Sequence, residues 1–104
     1  MRKYAKLISD YDNVATVLAD FKCGERVTVK KGGDEITLIC NQDIPFGHKI
    51  AIKKIRKSKD IVKYGEKIGT AKQDINIGDW VHTHNVLDDY ICKDKKGKPL
   101  PGQV

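Results

Sequence analysis

The chain has 104 residues, with 20 Lys and Arg against 14 Asp and Glu, a net charge of +6 and a pI near 9.2. That length fits one domain with one modest core, in which folding buries roughly two thirds of the extended chain's surface. Three cysteines, Cys23, Cys40 and Cys92, are odd in number and lack C-x-x-C spacing, which indicates neither a disulfide framework nor a cysteine zinc site and points to a reducing, cytoplasmic setting.

In chain order, residues 4–8 alternate weakly and run into Ser9-Asp10-Tyr11-Asp12-Asn13, whose short polar side chains favour a turn. Val14-Ala15-Thr16-Val17-Leu18 is a short apolar run, read as a strand. Arg26-Val27-Thr28-Val29-Lys30 and Glu35-Ile36-Thr37-Leu38-Ile39 both alternate around Gly32-Gly33, so residues 26–39 predict a hairpin. A further strand is expected where Ile50 and Ile52 share a face, followed by five basic residues, Lys53, Lys54, Arg56, Lys57 and Lys59, at its end.

A spaced pattern recurs along this series. Asp20-Phe21-Lys22-Cys23-Gly24, Asp43-Ile44-Pro45-Phe46-Gly47 and Asp74-Ile75-Asn76-Ile77-Gly78 are three copies of Asp, apolar, two variable residues, Gly, each ahead of a predicted strand. The Asp can bond backbone amides two residues on, the apolar residue anchors the corner, and the Gly supplies a positive φ. Unequal spacing excludes a solenoid and indicates a mainly β domain over residues 1–88 with few or no long helices. Residues 89–104, rich in Lys, Pro and Gly, read as a flexible or partner-docking extension.

The sharpest chemical signal is His82-Thr83-His84. Residues two apart on a strand lie about 6–7 Å apart on one face, close enough for two imidazoles to share an ion. A third ligand could come from His48 or Asp12, although spacing alone fits two hydrogen-bonded surface histidines equally well. Trp80 shares their face by parity and either walls a site or packs. Lys63-Tyr64-Gly65-Glu66 sets a cation, a phenol and a carboxylate around a glycine, suited to carboxylate binding or acid–base work, although such a run is more often a strand end with a tyrosine anchoring the core.

Other classes lack support. No Ser, Cys or Lys stands in a nucleophile setting, no phosphate-cradling loop is present, and the basic run has no interleaved aromatics on which bases would stack. Nor does any stretch approach the roughly 18 apolar residues of a membrane span. The positive charge leaves acidic protein faces and small carboxylates as expected partners.

Several blocks together carry a resemblance: Asp12-Asn13-Val14-Ala15, Gly47-His48-Lys49-Ile50-Ala51, Ile61-Val62-Lys63-Tyr64-Gly65-Glu66-Lys67-Ile68-Gly69-Thr70-Ala71, Asp74-Ile75 with Gly78, and Val81-His82-Thr83-His84-Asn85. Over roughly residues 6–86 the chain resembles the N-terminal domain of the altronate and galactarate dehydratase family, and the sulfolactate sulfo-lyase small subunit is similar. The resemblance implies a SAF-type β-clip fold and, unless the chain is an excised domain, a small subunit that works with a large dehydratase subunit on a sugar acid such as altronate. The product would be a 2-keto-3-deoxy acid and the cofactor a divalent metal, Fe²⁺ ahead of Mn²⁺ or Zn²⁺.

By the same resemblance His48, His82, Lys63 and Tyr64 are expected to be catalytic, Asp12, Asn13 and Lys49 to bind substrate, and His48, His82 and His84 to hold the metal. A SAF-type binding module without catalysis, docking a partner protein or an anionic ligand, is the alternative. Relatives often carry histidines where this chain has Ser9 and Trp80. Which sugar acid is used, and whether the chain self-associates, stay open.

Overall fold

A computed structural model describes residues 3–87, so the expected boundary at 88 and the extension over 89–104 lie outside the described residues. The described chain is built of strands: β1 (Tyr4–Lys6), β2 (Val14–Val17), β3 (Arg26–Lys31), β4 (Asp34–Ile39), β5 (Lys49–Ala51), β6 (Asp60–Lys63), β7 (Glu66–Ala71), β8 (Trp80–Val81) and β9 (Val86–Leu87). Six of them form one sheet in the order β4-β3-β1-β2-β5-β8, and β6-β7-β9 form a second. The mainly β expectation holds, and the 26–39 hairpin pairs Arg26 with Ile39 through to Lys31 with Asp34. Its turn uses Gly32 at φ 57°, a value any other L residue adopts with strain.

Strand alternation divides the core in two. Ala15, Ile50 and, partly buried, Trp80 face a cluster with Val17, Phe21, Val27, Val29 and Ile44. Their neighbours Val14, Ala51 and Val81 face the other way and meet Ile61, Ala71 and Val86 of the smaller sheet. Each sheet strand between the clusters therefore feeds both cores, which explains why neighbours in sequence are buried together, Val14 with Ala15 in β2 and Ile50 with Ala51 in β5.

The predicted corners are all present, and there is a fourth. Backbone bonds close equivalent turns from Glu25 to Lys22 (3.0 Å), His48 to Pro45 (3.1 Å), Lys59 to Arg56 (3.0 Å) and Asp79 to Asn76 (3.0 Å). Their third residues, Gly24, Gly47, Ser58 and Gly78, take φ of 91°, 85°, 73° and 93°, as a type II turn requires. The extra corner, residues 54–58, carries Ser58 where the others have Gly and Lys54 where they have Asp.

The corners pair, and their aspartates act across the pair instead of within their own turn. Phe21 and Ile44 exchange backbone bonds, as do Ile55 and Ile75. Asp20 accepts from the Phe46 amide, Asp43 from the Cys23 amide and Asp74 from the Lys57 amide, each at 2.8 Å. The expected local bond two residues on gives way because the paired corner brings an otherwise unpartnered amide to the carboxylate. Cys40 lies buried beside the first pair, where burial pushes its thiol pKa up, while Cys23 is exposed.

The fourth link of this set is missing. By the pairing rule Ile77 should give its amide to residue 54, but Lys54 has no acceptor, and among the described residues nothing takes the Ile77 N–H. Lys54→Asp is therefore expected to stabilise the fold by about 1 kcal/mol, read as a higher urea midpoint at unchanged slope. A matching gain in Lys54→Ala would trace the effect to relieved charge repulsion and sink the capping explanation.

Candidate active site

β5 and β8 place the histidines. Antiparallel pairing sets Ile50 opposite Trp80 and Lys49 opposite Val81, so His48, Ile50, Trp80 and the start of the following turn project from one face. Three imidazoles surround the single indole. The His48 ring lies 5.7 Å and the His84 ring 5.1 Å from Trp80, both tilted, and the His82 ring stacks on it at 5.5 Å with 6° between planes. His48 and His82 are themselves 4.6 Å apart. Trp80 Nε1 donates to His48 Nδ1 at 3.1 Å.

His82 and His84 do not sit on an extended strand. β8 ends at Val81, and residues 82–85 form a turn organised by Asn85, which is 2 % exposed. Asn85 Oδ1 accepts from the His82 amide at 2.9 Å, Asn85 Nδ2 donates to the Trp80 carbonyl at 2.8 Å, and its own amide donates to the His82 carbonyl at 3.1 Å. The alternation of Trp80-Val81-His82-Thr83-His84 imitates a strand, but a buried amide three residues past His82 bends the backbone. Asn85 was the residue that pattern reading missed, and its signal was a short polar side chain closing a histidine-rich turn.

The other expected site residues lie elsewhere. Asp12 is 1 % exposed, with Oδ1 accepting from the Gly65 amide at 2.7 Å and Oδ2 from the Ser9 amide at 3.1 Å. Asn13 zips onto β6, donating from Nδ2 to the Asp60 carbonyl at 2.9 Å and accepting from the Val62 amide at 2.8 Å. Both side chains thus act as clamps on the β6–β7 hairpin, whose two-residue turn is Tyr64-Gly65 at φ 56° and 74°. Lys63 Nζ lies 4.9 Å over the exposed Tyr64 ring.

This hairpin end and the histidines do not form one pocket. Gly65 is tied to Asp12, whereas His48 is tied to Val17, whose amide donates to the His48 carbonyl at 2.9 Å. The intervening residues of β2 span on the order of 15 Å at the rise of a strand. The expected catalytic set of His48, His82, Lys63 and Tyr64 is therefore divided between the two ends of β2, the last two lying on the smaller sheet. Lys49 is 7 % exposed and leaves β5 on the face opposite His48, where its register neighbours are Thr16 and Val81.

The side chains present do not fit a divalent cation by themselves. Among the described residues no group of three His, Cys, Asp or Glu donors converges on one point. His84 reaches the cluster only through the Trp80 ring, and the indole N–H occupies one of the two nitrogens of His48. The cluster can stack, donate and accept hydrogen bonds, but as it stands it is not a three-histidine metal centre.

Comparison with known proteins adds the family. Residues 3–89 match the model of the altronate/galactarate dehydratase SAF domain. An altronate dehydratase of Bacillus subtilis (strain 168) is 42% identical over 85 residues, covering 82% of this chain and 16% of that protein. One of Escherichia coli (strain K12) is 45% identical over 74 residues, covering 71% of this chain and 14% of that protein. The (2R)-sulfolactate sulfo-lyase subunit alpha of Paracoccus pantotrophus is 37% identical over 68 residues, covering 65% of this chain and 92% of that subunit. The chain thus spans about a sixth of the dehydratases and nearly all of the sulfo-lyase subunit.

Proposed function

Because the chain belongs to the altronate/galactarate dehydratase SAF domain family, we propose that it is the small component of a lyase that removes water from altronate or a related sugar acid. A separate large component would complete the active site, including any divalent metal the reaction uses, and the product would be a 2-keto-3-deoxy acid. The observation that carries this reading is the imidazole cluster of His48 and His82 against Trp80, half-buried beside an edge strand of the larger sheet. Loss of water from a hydroxy acid requires abstraction of the proton alpha to the carboxylate, shelter for the charge that develops there, and departure of the neighbouring hydroxyl. Imidazoles serve each of these needs near neutral pH.

A second reading has its own observation. The match that fills 92% of its relative is to a sulfo-lyase subunit alpha, and supports a role in a lyase acting on sulfolactate. Mixing the chain with its candidate large subunit and supplying altronate, galactarate and sulfolactate in turn separates the two. We expect 2-keto-3-deoxy acid to form and to fall by about 10²-fold in His48→Ala and in His82→Ala. Sulfite release would transfer the assignment to the second reading, and turnover indifferent to both substitutions would remove the histidines from the site. No turnover of any of the three acids would leave a binding module.

A further inference from the structure

An indole N–H can only donate. With Trp80 Nε1 3.1 Å from His48 Nδ1, that nitrogen must accept and carries no proton, so the neutral ring holds its single proton on Nε2. The indole is itself fixed in place. Its residue's amide donates to Gln42 Oε1 at 2.8 Å, its carbonyl accepts from Asn85 at 2.8 Å, and the His82 ring is stacked on it. Among the described residues His48 Nε2 has no hydrogen-bond partner, and the side chain is half-buried.

From this geometry we infer that Trp80 is a positioning residue that holds His48 as a neutral imidazole presenting Nε2–H, and that His48 donates this hydrogen bond to a negatively charged oxygen of the substrate carboxylate. The identity of the acceptor rests on the lyase reading above. The arrangement removes the other roles expected of His48. The Nδ1 lone pair is already taken, and Nε2 keeps its proton, so neither nitrogen serves as a base or a metal ligand while the indole bond stands. Surrendering the Nε2 proton would leave an imidazolate, so no proton changes hands at His48. When another base takes the alpha proton, the electron pair moves into the carboxylate, and a fixed N–H aimed at that oxygen gains strength as its charge grows. Trp80 therefore sharpens the role of His48, in a position where a histidine could accept as well as donate.

Two measurements test this, and they fail separately. In the ¹⁵N-labelled full chain, NMR is expected to show a nitrogen–nitrogen coupling across Trp80 Nε1–H and His48 Nδ1, lost in Trp80→Phe while the remaining amide spectrum is preserved. A protonated His48 Nδ1 in the neutral ring, or no coupling, overturns the positioning role whatever the activity. In the reconstituted lyase, Trp80→Phe should lower kcat about 10-fold with KM held within about 2-fold, and His48→Ala should lower it about 10²-fold. His48→Gln, whose amide N–H needs no tautomer to be fixed, should recover about 10-fold of that loss and be indifferent to Trp80→Phe. A His48→Gln variant as inactive as His48→Ala overturns the donor role, because an amide replaces neither a base nor a ligand. If no acid turns over, the lyase reading fails and the carboxylate acceptor falls with it, while the nitrogen coupling still decides the role of Trp80.

Discussion

Gly78→Ala is expected to destabilise the chain by about 4 kcal/mol, a large share of the roughly 5–15 kcal/mol that holds a domain of this size folded. Gly78 sits at φ 93°, which an L side chain reaches only with strain of about 1–3 kcal/mol. A Cβ there would fall on the Ile39 carbonyl oxygen, far inside contact distance, with Asn41 Nδ2 also at 3.2 Å. Neither neighbour can step aside cheaply. Asn41 gives Nδ2 to the Ile77 carbonyl at 3.0 Å and to Asp79 Oδ1 at 2.7 Å, and its amide donates to the Gly78 carbonyl at 2.9 Å. Moving the corner would also strain the Gly78 amide bond to the Ala51 carbonyl, 2.8 Å long, on which the approach to β8 depends.

The matching corners provide the control. Gly24 and Gly47 have φ of 91° and 85°, but a Cβ on either meets nothing within 4 Å. Their alanine variants should lose only the conformational term, about 1–2 kcal/mol. Urea unfolding of the three variants at constant slope compares them directly. Equal losses at all three positions would show that φ alone sets the cost and that the packing of Gly78 against Ile39 contributes nothing.

The same corners show how far the sequence could be read. Glycine marked three of them because no other common residue takes positive φ freely, and the Gly32-Gly33 hairpin was legible for the same reason. The fourth stayed hidden because Ser58 accepts the strained conformation and Lys54 breaks the Asp signature. What the aspartates bond to was not legible at all, since it depends on corners some 20 residues apart meeting in space. The division into two sheets, with β1 and β3 parallel, is likewise set by long-range pairing that leaves no local mark.

At the site the residue types were legible and the geometry was not. The histidines were visible as a concentration of imidazole near the only tryptophan, and the structure does bring His48, His82 and His84 around that ring. Period-two alternation predicted one extended face because propensity cannot register a buried Asn85 pulling residues 82–85 into a turn. Asp12 and Asn13, expected at the substrate, are engaged within the fold. Both bond the β6–β7 hairpin, and Asp12 also takes the Ser9 amide.

That engagement makes Asp12 the second position where a single change should be severe. Asp12→Ala would orphan two amides at once, Gly65 at 2.7 Å and Ser9 at 3.1 Å, in a spot where the carboxylate is 1 % exposed. Each bond to a charged acceptor is worth about 1.5–3 kcal/mol when its donor is left buried, but Gly65 is open to water, so we expect a total near 3 kcal/mol. The turn that Asp12 holds is itself strained, since Tyr64 occupies a left-handed conformation that glycine or asparagine would fill more readily. Without the carboxylate the hairpin loses the bond that offsets that strain. Asp12→Asn should fall about halfway, because its amide keeps one acceptor and turns a donor towards the other N–H. Adding Tyr64→Gly should restore part of the loss in Asp12→Ala by removing the strained side chain. A double variant no more stable than Asp12→Ala would mean that the clamp serves the Ser9 turn alone, and that the exposed Tyr64 is held by the β6–β7 pairing itself.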